Sequence, residues 1–302
     1  MQNLRVKILK ALYKLSPFSL KGDLTFEEDD INVSISCVIN FYGRINLLEG
    51  ILYSLASQNL PKEDFEVILI EDRGGTKEGK IIAEKLSDRL SIKYYALSEN
   101  FGVMGYSRNF GLSKAKGEFV LFLDDDTVIL QNDFLSKLLR IFRTTNADAI
   151  IPHGNASFVL IKGRYDFHDP YYPTNRCMAY RRNVLKELGG FVSEIIGQED
   201  VEFVIRYISS GKTFIQSKEI EYYHPPLITN KISKAAAVGM SFAKLKKRYP
   251  FIIWLMLLLN GSRYLPLLLL PLKTKWKMQG KFSLGFLIGI IYSITKQKVN
   301  YS

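Results

Sequence analysis

The 302-residue chain has only two cysteines, Cys37 and Cys177, and three histidines, His153, His168 and His224. Scattered as they are, they make neither a disulfide framework nor a cysteine- or H-E-x-x-H-type zinc site, and they fit a reducing compartment. No G-x-G-x-x-G or Walker loop accompanies the strand-like segments, so phosphates there are held by other means. After Glu221 there is no Asp or Glu at all. Nor does any apolar run of the tail reach the roughly 20 residues that spanning a bilayer requires. The runs are FIIWLMLLL (251–259), YLPLLLLPL (264–272) and FSLGFLIGIIYSI (282–294), and fusing the first two would set Arg263 near mid-membrane. The opening LRVKILKALYKL lacks the long apolar core and small-residue cleavage site of a signal peptide.

What is present is a chain of 47% hydrophobic residues, enough for a sizeable core in one large or two small domains. The formal charge of +11 is concentrated in the tail, where thirteen Lys and Arg follow Glu221 and leave the first 221 residues slightly acidic. Leu-rich runs flanked by lysines fit an anionic bilayer interface better than nucleic acid, which prefers basic residues among polar ones. Residues 231–302 therefore read as a helical, membrane-lying region, with an apolar subunit interface as the alternative. Residues 1–22 carry Arg5, Lys7, Lys10, Lys14 and Lys21 without an acid. Leu4, Ile8, Leu12 and Leu15 share one helical face there, so this segment either joins the same surface or packs on the domain as an ordinary amphipathic helix. The expected domains are residues 1–30, 31–230 and 231–302. The expected location is the cytoplasmic side of a membrane, peripheral or monotopic.

Between residues 31 and 230 strand-like and helix-like segments alternate. INVSISCVI, FEVILI (65–70), SIKYYAL and EFVLFL (118–123) read as strands, and EIEYY as another before His224. Helices are expected near 44–57, over KEGKIIAEKLSDRL, over 105–116 and over DFLSKLLRIF, the last with Asn132 as N-cap. The fold class is therefore α/β, a mostly parallel sheet flanked by helices, with ligands bound beyond the carboxyl ends of the strands.

Those ends carry the unusual polar groups: Asn40, Tyr42 and Arg44 after the first strand, Glu71 and Asp72 after the second, and Asp124, Asp125 and Asp126 after the fourth. Adjacent carboxylates repel, and a hard divalent cation would relieve them. A solvated acidic turn is the plain alternative. Arg176, Arg181 and Arg182 either face an acceptor or coat a helix start.

In order, the chain shows CVINFYGRINLLEGILYSLASQ, VILIEDRGG, NFGVMGYSRNFGLSKAKGE (100–118), FLDDDT, GGF (189–191) and GQEDVEFVIRYISSGK (197–212). Over residues 31–230 this series resembles glycosyltransferase family 2, inverting enzymes of the GT-A fold that use nucleotide sugars. The resemblance implies a D-x-D at Asp124 and Asp126, with Mg²⁺ or Mn²⁺ as cofactor and Asp126 as the direct ligand. It implies that Asp125 and Asp124 lie near the ribose or the ion's water shell. Asn40, Tyr42 and Asp72 fall around the base, and Arg44 and Arg108 on the nucleotide side. Asp200 would be the general base, Glu199 its orienting partner, and His224 a further metal or diphosphate group. The Q-x-x-R-W motif of processive synthases is missing, which implies one sugar per encounter. The implied partners are a nucleotide-sugar donor and a lipid-linked or glycan hydroxyl acceptor. A nucleotidyltransferase of similar topology and an inactive sugar-binding scaffold are the competing readings. Specificity is expected in residues 153–182.

Overall fold

The computed structural model describes residues 4–26, 31–156, 165–166, 176–224, 232–270 and 274–295. The chain forms two compact units, one of Lys21–Ser193 with Asp200–Pro226, the other of Met1–Leu20 with Glu194–Glu199 and Leu227–Ser302. In chain order the elements begin with α1 (Leu4–Leu15), β1 (Val33–Phe41), α2 (Ile45–Ala56), β2 (Phe65–Glu71), α3 (Lys77–Lys85), β3 (Ile92–Ala96), α4 (Met104–Lys114) and β4 (Gly117–Asp124). They continue with α5 (Phe134–Thr144), β5 (Ala149–Ala156), β6 (Tyr165–Asp166), β7 (Cys177–Arg181), α6 (Arg182–Glu187), α7 (Glu199–Ser209) and β8 (Phe214–His224). Three helices close the chain: α8 (Ile232–Lys244), α9 (Phe251–Ser262) and α10 (Thr274–Ile294).

The first unit is built on an eight-stranded sheet of order β3-β2-β1-β4-β7-β5-β6, with β8 paired to β5. The β3-β2-β1-β4 half is parallel, as the sequence suggests. The other half is mixed: β7 runs antiparallel to both β4 and β5, and β8 runs parallel to β5. β1, β2 and β4 are covered on both faces, so residues 37–39, 67–70 and 119–123 are apolar runs without alternation, while the buried Ser36 donates to Glu66 Oε1 at 2.6 Å. Ile39, Leu69, Leu121 and Leu123 have no exposed surface, and each such side chain stabilises the fold by about 1.5–3 kcal/mol. Phe119 of β4 stacks on Phe142 of α5 with ring centroids 4.1 Å apart.

Two local details hold α4 and α5 in place. A Cβ added to Gly111 would lie 2.5 Å from Val38 Cγ1, so glycine is what lets α4 settle against β1. The expected Asn132 cap of α5 is not formed. Asp133 takes the N-cap position without a side-chain bond, and Gln58 Oε1 instead accepts from Leu135 N at 3.0 Å. A side chain from the segment after α2 thus satisfies the helix start that local sequence was expected to serve.

The second unit is helical. α8 and α10 approach closely through small residues: Cβ atoms on Gly239 and Gly289 would fall 2.0 Å from Phe286 O and 1.9 Å from Ala236 O. Trp254 Nε1 of α9 donates to Phe242 O at 3.1 Å. On α1 the residue turned inward is Leu9, whereas Ile8 and Leu15 are exposed. Tyr13, Phe18 and Tyr249 form an edge-to-face chain of rings. The first two apolar runs follow one another closely. α9 ends at Ser262, whose Oγ donates back to Leu258 O at 2.9 Å, and after a turn at Arg263 and Tyr264 the chain continues as a short 3-10 helix over Leu265–Leu269. Taken together, Phe251–Leu269 is long and apolar enough to cross a membrane by length and composition only, and 17% of it is buried.

Candidate active site

β1 and β4 pair in register so that Asn40 stands beside Asp124, the last residue of its strand. Past Asp124 the chain turns tightly, with Thr127 N donating to Asp124 O at 3.1 Å and Thr127 Oγ1 to Arg176 O at 2.9 Å. Val128 then exchanges two backbone hydrogen bonds of 2.8 Å with Tyr223. That bridge brings His224, the end of β8, against the acidic triplet. Its Nε2 lies 2.9 Å from Asp126 Oδ1 and 3.4 Å from Asp124 Oδ2.

Two arginines complete the cluster. Arg108 of α4, buried over the Phe122 ring, reaches Asp124 Oδ1 at 3.2 Å. Arg44 spans Asp125 and Asp126, its Nη1 2.9 Å from Asp126 Oδ2. Arg44 holds a left-handed backbone (φ 48°), as does Gly43 before it (φ 60°). A non-glycine residue pays about 1–2 kcal/mol for that conformation, and here its paired charges offset the cost.

The electrostatics follow from burial and neighbours. Burial works against the charge of His224, but hydrogen bonds and charge from Asp124 and Asp126 prevail and raise it to about 9. Burial likewise opposes ionisation of Asp124, yet the His224 hydrogen bond, with the positive charges of Arg108 and Arg176, takes it down to about 2. Asp126 is lowered too, its own burial outweighed by His224 and Arg44. Burial pushes Asp125 up to about 7 against the pull of Arg44, helped by Asp126 and Asp124. The three aspartates are therefore not equivalent.

One ligand atom each from Asp124, Asp126 and His224 lies within 4.8 Å of the others, close enough to share a metal ion. Two carboxylates and an imidazole suit Mn²⁺ or Mg²⁺. The cluster's excess negative charge draws in the guanidiniums of Arg44 and Arg108. Asp125 Oδ2 is buried without a hydrogen-bond partner among the described residues.

A second group lies at the ends of β1 and β2. Asp72 accepts from Arg73 N at 2.8 Å and Gly102 N at 2.7 Å, and Arg73 covers the half-exposed Tyr42 ring at 4.6 Å. Asn40 donates to Ser107 Oγ beside Arg108. Glu199 and Asp200 are carried separately, at the head of α7. Glu199 is buried, and the half-buried Asp200 accepts from Val201 N at 2.9 Å through Oδ1. The structure thus joins Arg44, Arg108, Asp124, Asp125, Asp126 and His224 by direct contacts, with Asn40, Tyr42 and Asp72 on neighbouring strand ends.

Of the arginines before G-G-F, Arg181 has a supporting role. It packs over Phe119 and Phe142 and donates to Ala147 O and Phe142 O. Much of the 153–182 stretch, His168 included, lies outside the described residues, as do Pro225 and Pro226. Sequence reasoning gave no role to Glu71, which is fully buried and accepts from Thr76 and Tyr94. Gln58 and Asn109 were also without roles, though both stand inside the ordered motifs. Gln58 pins the segment after the aspartates, donating to Gln131 O as well as accepting from Leu135 N.

Residues 36–162 match the glycosyl transferase family 2 model. Poly(ribitol-phosphate) beta-N-acetylglucosaminyltransferase TarS of Staphylococcus aureus (strain MW2) is 28% identical over 213 residues, 63% of this chain and 35% of TarS. The chain thus spans about a third of that relative's length. Succinoglycan biosynthesis protein ExoM of Rhizobium meliloti is 26% identical over 212 residues, 64% of this chain and 67% of ExoM. Among solved structures, mannosyltransferase PcManGT from Pyrobaculum calidifontis, in complex with GDP-Man and Mn²⁺, aligns with a TM-score of 0.61 at 15% identity, covering 97% of both chains. S. aureus TarS 1–349 with UDP-GlcNAc aligns at 0.59 and 18% identity, covering 89% of this chain and 94% of that one. Both support the fold.

Proposed function

From the premise that residues 36–162 make this chain a member of glycosyltransferase family 2, we propose that it transfers one sugar from a nucleoside-diphosphate sugar to a hydroxyl acceptor, with inversion. The observation that carries this reading is the cluster of Asp124, Asp126 and His224, crossed by Arg44 and Arg108, at the carboxyl edge of a parallel sheet. In such sheets ligands bind at that edge. Tyr42 offers a ring for a base, and Asp72 a carboxylate for its edge. PcManGT with GDP-Man and TarS with UDP-GlcNAc support a nucleotide-sugar donor.

In the reaction the acceptor oxygen bonds to the anomeric carbon as the bond from that carbon to the phosphate oxygen breaks. The electron pair leaves with the nucleoside diphosphate. Asp200 takes the acceptor hydroxyl's proton, and Glu199 orients the acceptor or the base. Asp124, Asp126 and His224 would hold Mn²⁺ or Mg²⁺, which would neutralise charge developing on the leaving diphosphate. Arg108 and Arg44 lie where they can steady that charge from the protein side.

The helical unit supplies the second half of the proposal. Phe251, Ile252, Leu259, Leu269 and Trp276 are exposed, and no acid occurs after Glu221 to repel anionic headgroups. Residues 231–302, joined by the exposed face of α1, rest on the cytoplasmic surface of a membrane, which favours a lipid-linked acceptor in polysaccharide or glycan assembly. A panel of nucleotide sugars assayed with Mn²⁺, with and without a polyprenyl-linked acceptor, tests the reading. Turnover of one donor, with inverted product, is expected. Turnover of none contradicts it.

A further inference from the structure

Consecutive residues of α4 serve different elements. Arg108 binds Asp124. Asn109, only 4% exposed, holds the turn that contains G-G-F. Its Oδ1 accepts from Phe191 N at 2.8 Å, and its Nδ2 donates to Phe191 O and Ser193 Oγ at 2.9 Å each, with Asp23 Oδ1 at 3.2 Å. Asp23 in turn accepts from Ser193 N and Oγ. The same turn is gripped from α7. Arg206, with no exposed surface, donates to Leu188 O at 2.6 Å and Gly190 O at 2.8 Å while paired with the equally buried Glu202. Phe191 packs between Phe122 of β4 and Phe203 of α7, at 5.4 and 5.0 Å between centroids.

Hydrogen bonds from the buried Asn109 and Arg206 hold this turn in one arrangement from two sides. Adjacent residues of α4 therefore reach the strand end at Asp124, through Arg108, and the turn at 188–193, through Asn109, and Arg206 ties that turn to the helix that carries Asp200. We infer that Asn109 is a positioning residue, setting the helix of the general base relative to the donor-binding carboxylates. This inference rests on the transferase reading. It assigns Asn109 no contact with substrate. A misplacement of about 1 Å costs on the order of a hundredfold in rate, so the network acts on kcat and leaves nucleotide binding to the carboxylates.

The test compares wild type, Asn109→Ala, Asn109→Asp and the double variant D23N/N109D in the full chain. UDP and GDP binding with Mn²⁺, kcat, melting temperature and amide hydrogen exchange are measured for each. Asn109→Ala is expected to lower kcat by about ten- to a hundredfold with nucleotide affinity little changed. Exchange should quicken at 188–193 and in α7 but not in β1 or β4. Asn109→Asp sets a carboxylate against Asp23 and Phe191 O, and D23N in the same chain should recover much of the lost kcat. Unchanged kcat, unchanged exchange at 188–193, no recovery in the double variant, or a global loss of fold would each overturn the positioning role. A wild-type chain that neither binds nor turns over any nucleotide sugar overturns the transferase reading itself, and the inference falls with it.

Discussion

The two units treat charge in opposite ways. The sheet unit gathers acids at one edge and answers each with a specific cation: Arg108 on Asp124, Arg44 on Asp125 and Asp126, His224 between Asp124 and Asp126. The helical unit leaves its basic residues largely without acidic neighbours in sequence and several large apolar side chains open to the outside, Leu269 at 87% and Phe251 at 64% exposure. Directed, partly buried charge is the material of a reaction site. Diffuse positive charge around exposed apolar side chains is the material of a surface that meets lipid.

If that contrast is right, changes on the two sides should separate cleanly. The largest effect is expected from Asp126→Asn, which removes one of the three groups proposed to hold the cation and should lower turnover by about a thousandfold, with vesicle binding unaltered. Next comes Arg206→Leu, which strands Glu202 in the core. Breaking a buried pair on one side costs about 3–5 kcal/mol, and the urea midpoint should fall accordingly. On the other unit, Leu269→Glu should weaken partition into phosphatidylglycerol vesicles by about tenfold or more, since one buried leucine contributes about 1.5–3 kcal/mol. Donor binding should stay as it was. If Leu269→Glu abolishes donor binding instead, the division of labour is wrong.

The smallest effect concerns pH. His224 stands at about 9, above its ordinary value of 6.5. A raised value means that folding favours the protonated form, so this stabilisation is complete below about 6.5 and is lost as pH rises through about 9. With metal chelated, the melting temperature should decline across that window, and His224→Gln should flatten the decline.

The contrast between the units also separates what could be read from sequence from what could not. The centres of β1, β2 and β4 are apolar because both faces are covered, and polar residues at and beyond their carboxyl ends form the candidate site. Those signals are local. β7 is five residues long and runs antiparallel between two other strands, so nothing in CMAYR announces its partners. His224 could be suspected but not placed, because its position depends on the Val128–Tyr223 bridge between distant segments. Asn109 was legible as part of R-N-F-G yet carried no role until Phe191, Ser193 and Asp23 converged on it. The break that the polar residues Asn260–Arg263 suggest falls at the end of α9, and only a turn and a short 3-10 helix carry the apolar run on to Leu269.

On the proposed function, the acidic triplet binds a nucleotide sugar with a divalent cation for transfer. Titration of the donor found in the nucleotide-sugar panel, with and without Mn²⁺, into wild type and Asp126→Asn tests it most directly. The account predicts tight binding only for wild type with Mn²⁺, accompanied by turnover that Asp200→Asn removes without weakening the binding. Equal donor affinity in all four titrations, or turnover that survives both substitutions, would contradict it.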